Sequence, residues 1–203
     1  MVTFSPSDRC LETRNIKQEN MARLIILGAS GSGRTTQAQI LKNLLDSDHI
    51  STGQLLKQAI ASSSDLGESV RQYVELGEYA PDDTMINLIK SLFSQTNYPP
   101  AWILEGYPRT AFQAEELDFF LAELDQPIDL VFYLDAPVSV LTERLVKDQD
   151  QDLSPEVISR QIELFHTRTT PLLEYYDYKK KLLTIDASGD IDTVSQLIQQ
   201  HLS

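Results

Sequence analysis

Cysteine, basic side chains and long apolar runs are all scarce in this sequence, and each scarcity removes a class of protein. Cys10 has no second thiol to pair with, so an intrachain disulfide and a Cys-built metal site are both excluded, and a reducing compartment is the natural setting. Apolar stretches such as residues 24–27 and 130–134 fall far short of the roughly 20 residues that cross a bilayer. No targeting segment is evident, so a soluble, cytoplasmic protein is expected. The 17 Lys and Arg stand against 30 Asp and Glu, a formal charge of −13. Nucleic acid and anionic membrane are therefore not expected as partners, because both demand broad surfaces of unopposed Lys and Arg. Any polyanion must bind at a local cluster of donors. What is present is a chain of 203 residues with 41% hydrophobic content, enough for one domain with a substantial core.

Residues 1–20 are polar and aperiodic and read as a flexible extension, either without a role or as a partner-binding arm. Met21, where the pattern changes, could also serve as a translational start. From Arg23 onward, short apolar runs at 24–27, 101–104, 130–134 and 182–185 predict strands buried on both faces. Helical patterns lie between and beyond them, at 36–45, 53–62, 82–94, 110–123, 138–147, 155–178 and 191–201. This alternation predicts an α/β doubly wound sheet.

The first predicted strand runs into LIILGASGSGRTT at 24–36. Glycines at 28, 31 and 33 let the backbone curl so that successive N–H groups converge, and the following helix adds its positive N-terminal end. The pattern is a phosphate loop with Arg34 in place of the usual lysine. The charge is kept, but a wide planar fork replaces a compact ammonium. Further on, WILEGYPRTAFQ at 102–113 ends a strand on a carboxylate and turns through Gly and Pro into an arginine. Glu105 at a strand's carboxyl end would lie beside the ligand crevice and could hold Mg²⁺ through water. Arg109 would be placed to clamp a phosphate with paired N–H groups.

With ISTGQLL at 50–56 and LGEYAPD at 76–82, these stretches make the chain resemble the adenylate kinase family of nucleoside monophosphate kinases. VFYLDAPVSVLTERL at 131–145, TPLLEYY at 170–176 and LLTIDASGDIDTV at 182–194 add to the likeness, which spans Met21 to the C-terminus. The resemblance implies a P-loop NTPase three-layer fold with a five-stranded parallel sheet, an AMP-binding helical flap at about 51–80 and a short lid at about 147–157. It implies a monomer that moves a phosphoryl group between ATP and AMP, yielding ADP, with Mg²⁺ accompanying ATP. By the same likeness Gly28, Gly31, Ser32, Gly33, Arg34, Thr35 and Thr36 would hold the ATP phosphates, and Arg144 would open the lid and lie against the ATP adenine. Thr52, Gly53, Lys57, the backbone near Glu78 to Ala80, Gly106, Arg109 and Gln113 would form the AMP site, with Gln113 reading the adenine edge. Arg34 and Arg109 would carry transition-state charge, and Thr35 and Glu105 would organise the metal.

The chain also departs from the family pattern. Lys57 stands for an arginine and Glu105 for an aspartate. Asp148 and Gln161 occupy positions where lid arginines are expected, and Arg160 is one residue off, on another helix face. Between Lys147 and Arg160 the segment is acidic, without the Cys residues of zinc-bearing lids. Two unit charges about 4 Å apart interact by roughly 4 kcal/mol at an effective dielectric near 20. Every ~1.4 kcal/mol of transition-state stabilisation is tenfold in rate. A competing expectation is therefore a catalytically weak relative that binds AMP as a sensor or partner protein, with Lys147, Arg160 or Arg168 as substitute contacts if turnover persists. His49, His166 and His201 lack neighbouring acids in sequence and are expected to be surface or packing residues. Phe165, Tyr175, Tyr176 and Tyr178 are expected in the core, and Asp135 in a structural role.

Overall fold

Arg23–Gly28 (β1), Asp48–Ser51 (β2), Trp102–Glu105 (β3), Leu130–Asp135 (β4) and Leu182–Asp186 (β5) align in parallel in the order β2-β3-β1-β4-β5. The structure is a computed structural model and describes residues 22–95, 99–147 and 154–202. The connections are carried by α1 (Arg34–Leu45), α2 (Thr52–Ala61), α3 (Asp65–Glu75), α4 (Asp82–Phe93), α5 (Ala111–Glu123), α6 (Val138–Lys147), α7 (Pro155–Tyr178) and α8 (Ile191–Gln200). None of the described helices is long and apolar enough to cross a membrane.

The central strands are apolar along most of their length because helices cover both faces of the sheet. Along β1, Leu24 and Ile26 face one layer with Ala38 of α1 and Ile198 of α8. Ile25 and Leu27 face the other, with Ile89 of α4, Leu117 of α5 and Tyr176 of α7. A third cluster joins Leu141 and Leu145 of α6 to Ile158, Ile162 and Phe165 of α7. Side chains cap many of the helix starts: Ser51, Ser64, Thr110, Ser154 and Asp190 each accept a hydrogen bond from the backbone N–H three residues on. Each such cap contributes about 1 kcal/mol. The start of α1 has no side-chain cap, which matters for the site below.

The four apolar strands and seven helical patterns read from sequence are all present, with ends shifted by at most two residues. Two elements are additional. β2 is a short edge strand in which Ile50 alone is apolar, and α3 packs on α2 so closely that a Cβ on Gly67 would stand 2.1 Å from the Ala59 carbonyl oxygen. Tyr178 corrects an expectation: the other three aromatics of its group are buried or half-buried, whereas Tyr178, at the last turn of α7, is 88% exposed. The extension at 1–20 and most of the acidic lid segment, Asp148 included, lie outside the described residues.

Candidate active site

The chain turns from β1 into α1 through residues 29–33, at the point where the sheet order reverses on either side of β1, the position at which open α/β sheets bind ligands. The Ser32 N–H donates to the Ala29 carbonyl at 3.1 Å. Gly31 has φ +84°, and a Cβ there would lie 2.7 Å from the Leu141 carbonyl oxygen, so a side chain is excluded twice over. Gly33 precedes α1 in the left-handed conformation, and the first turn of α1 receives no side-chain acceptor. Its leading N–H groups are left for a ligand, with the positive end of the helix behind them.

These amides open on a cavity of about 1160 Å³. Gly31, Ser32, Gly33, Arg34, Thr35, Thr36, Gly53, Lys57, Glu78, Ala80, Glu105, Gly106, Arg109, Gln113 and Arg144 all line it. Gly28 sits in a small adjoining crevice with Arg34, Tyr79 and Arg109. Thr52 is buried behind the wall, where its hydroxyl donates to the Glu105 carbonyl at 3.2 Å. Ser32 is nearly inaccessible, and its hydroxyl has no partner among the described residues.

The Glu105 carboxylate is 5% exposed. Thr35 Oγ1 donates to its Oε1 at 3.1 Å, and His49 Nε2 lies 3.3 Å from its Oε2. Burial alone would push the acid up, but the bond to His49, the charge of Arg34 and the hydroxyls of Ser51 and Thr35 outweigh it, holding the group at about 2. His49 thereby corrects the sequence expectation of a surface or packing residue without an acid nearby. Its acid is brought to it across the β2–β3 pairing, in which Ser51 is in register with Glu105.

Across the cavity the turn at 106–110 presents Arg109. Gly106 has φ +84°, and a Cβ there would fall 2.6 Å from Thr52 Oγ1. Arg109 Nε donates to the Gly106 carbonyl at 2.8 Å, and the Arg109 backbone N–H donates to Gln113 Oε1 at 2.8 Å. Desolvation, and to a lesser degree the nearby Arg34 charge, lowers the Arg109 pKa. Gln113 Nε2 in turn donates to Asp82 Oδ1 at 2.6 Å, so one N–H and one lone pair of the buried amide remain for a ligand edge. Asp82 and Tyr79, whose ring centroid lies 4.7 Å from Arg109 Cζ, fall in the LGEYAPD stretch singled out in the sequence, but their side-chain contacts with the 106–113 segment were not legible there because the two segments are distant along the chain.

Arg144 is held by the β5–α8 loop: Nη1 donates to the Ala187 carbonyl at 2.8 Å and Nη2 to that of Gly189 at 2.7 Å, with longer contacts to Ser188 and to Gly31 of the phosphate loop. Arg34 and Lys57 make no side-chain hydrogen bond or ion pair among the described residues. Of the substitute cations, Lys147 pairs with Glu143, Arg160 with Glu78 at 3.1 Å, and Arg168 lies exposed on α7. Gln161 lines the cavity as a neutral group. Asp135 accepts from the Tyr133 hydroxyl at 2.9 Å.

No cluster of three or more acidic, His or Cys ligands occurs among the described residues. One hydroxyl and one ionised carboxylate side by side suit a magnesium ion that keeps most of its water and binds chiefly through phosphates, rather than an all-protein cage.

Comparison with known proteins matches residues 26–181 to the family model described as adenylate kinase. Adenylate kinase 2 of Nostoc sp. is 46% identical over 180 residues, covering 89% of this chain and 98% of that protein. Adenylate kinase 2 of Synechocystis sp. is 45% identical with 89% and 99% covered. An adenylate kinase of Stenotrophomonas maltophilia is 34% identical with 87% and 96% covered.

Proposed function

The chain belongs to the adenylate kinase family and is a nucleoside monophosphate kinase; within that class we propose that it transfers the terminal phosphoryl group of ATP to AMP, giving two ADP. The observation that carries this reading is a single cavity lined by uncapped glycine-loop amides, Arg34, Arg109 and the half-free amide of Gln113. Phosphoryl transfer asks a protein for positioning and charge rather than covalent chemistry. The amides of 31–36 would cradle the donor phosphates, and Arg144, its guanidinium hydrogen-bonded to carbonyls of the β5–α8 loop, would face the donor base. Arg109 and Lys57 would grip the acceptor phosphate, whose oxygen forms the new P–O bond as the bond to the departing ADP breaks. Arg34 lies close enough to influence both Glu105 and Arg109, so it would serve the charge that spreads over the transferring oxygens.

Thr35 and Glu105 would hold hydrated Mg²⁺, whose part is to neutralise the donor polyphosphate. The Glu105 carboxylate is suited to that part because it stays ionised well below neutral pH. The helix pair α2–α3 and the following connection to α4 would act as the AMP flap, and the segment between α6 and α7 as a short lid. A cytoplasmic monomer is part of the same proposal, its compartment supported by the single cysteine.

Gln113 would read the acceptor base, its remaining donor and acceptor being able to pair with an adenine edge. A coupled assay of ADP formation with Mg²⁺, ATP and each of AMP, CMP, UMP and GMP tests this. AMP is expected to be used in strong preference; equal or better turnover with a pyrimidine or guanine nucleotide would overturn the acceptor assignment.

A further inference from the structure

Arg109 carries a half-buried charge with no carboxylate partner among the described residues. Its Nε is committed to the Gly106 carbonyl, which fixes one edge of the guanidinium. One contact leaves the plane free to swing about that bond. Its Cζ lies over the ring of Tyr79, on the connection between α3 and α4, 4.7 Å from the ring centroid. An arginine over an aromatic face is attracted by the ring quadrupole, most strongly where water is excluded. Tyr79 lines the cavity and also the small crevice that holds Gly28 and Arg34. Its hydroxyl makes no hydrogen bond among the described residues, so the ring rather than the oxygen is the working part.

From this we infer that Tyr79 is a positioning residue for the monophosphate: its ring and the Gly106 carbonyl together hold the Arg109 plane with the Nη edge toward the acceptor phosphate. The inference rests on the reading above in which Arg109 grips that phosphate. A guanidinium fixed in advance loses less freedom when the phosphate arrives, and the gain appears in acceptor affinity. Tyr79 borders the crevice of Gly28 and Arg34 as well, but its ring contact is with Arg109, so the larger effect falls on AMP rather than on ATP.

The test measures AMP and ATP binding by calorimetry and adenosine binding by chemical-shift titration, for the wild-type chain, Tyr79→Leu and Tyr79→Phe. Tyr79→Leu is expected to weaken AMP by about five- to thirtyfold, the equivalent of a partly desolvated cation–π contact, while leaving ATP and adenosine within about twofold. Tyr79→Phe is expected to restore AMP affinity, since the ring face is kept. Wild-type affinity for AMP in Tyr79→Leu would overturn the inference alone. Equal weakening of AMP and adenosine would show the ring touching the base and overturn it too, as would a loss in Tyr79→Phe as large as in Tyr79→Leu. A wild-type chain that does not bind AMP would overturn the underlying reading and this inference with it.

Discussion

Glu105→Gln removes one buried charge and keeps the shape of the side chain, so its consequence for stability can be worked from the site. The folded carboxyl titrates at about 2 against an ordinary 4.5. A group whose folded pKa is depressed stabilises the fold fully above the unfolded value, and that contribution is lost as the pH falls through 4.5 toward 2. The difference corresponds to roughly 3 kcal/mol at neutral pH. Part of the physical origin is visible: Thr35 donates to one oxygen, and His49 stands at the other. The glutamine variant should therefore be less stable than the wild type by up to about 3 kcal/mol at pH 7. For a chain of this size, that lowers a urea midpoint by about 1–2 M. Urea unfolding of both proteins at pH 7, 5, 4 and 3 should show the gap narrowing steadily below about pH 5. Equal stability at pH 7, or a gap that stays constant to pH 3, would refute the reasoning.

Three further outcomes follow from neighbouring geometry. Gly31→Ala places a Cβ 2.7 Å from the Leu141 carbonyl oxygen at a positive φ; it should lower stability by about 1–3 kcal/mol and abolish ATP binding, checked by thermal melting and calorimetry. His49→Phe leaves a buried carboxylate oxygen without its partner and should cost about 1–3 kcal/mol in urea unfolding at pH 7, together with a higher Mg²⁺ requirement in the coupled assay. Arg144→Ala removes the donors that join the phosphate loop to the β5–α8 loop; about tenfold weaker ATP binding, in line with the loss of a charged hydrogen bond, is expected beside unchanged AMP binding.

Much of this architecture was legible because its signals are local. Near-continuous apolar strands and glycines bunched between a strand and a helix each imply their structure within a dozen residues. β2 was not legible: Asp48, His49 and Ser51 are polar, and the segment is a strand because β3 lies beside it. α3 did carry a signal, with Leu66, Val70, Tyr73 and Val74 at helical spacing after the Ser64 cap. Gly67 obscured it, although that glycine is required by the close approach of α2. The same division holds at the site. Glu105 and Arg109 announced themselves by their place at a strand end and a turn, whereas His49 and Tyr79 acquire their partners only when β2 and the α3–α4 connection are brought against them.

The lid departures also look different against the geometry. Arg160, one residue from the expected position, is engaged with Glu78, and Gln161 faces the cavity without charge. Positive charge at the described cavity wall therefore comes from Arg34, Lys57, Arg109 and Arg144. Arg34 is the member of this set that electrostatics ties to both Glu105 and Arg109, which makes it the residue on which turnover should depend most.

Phosphorus NMR of the protein incubated with Mg²⁺, ATP and AMP, for the wild type and Arg34→Ala, tests that dependence directly. The wild type should convert each ATP–AMP pair into two ADP, and Arg34→Ala should lose at least about a hundredfold in rate while its AMP affinity stays near the wild-type value. AMP bound without any ADP formed by the wild-type chain, or full turnover by Arg34→Ala, would contradict the account.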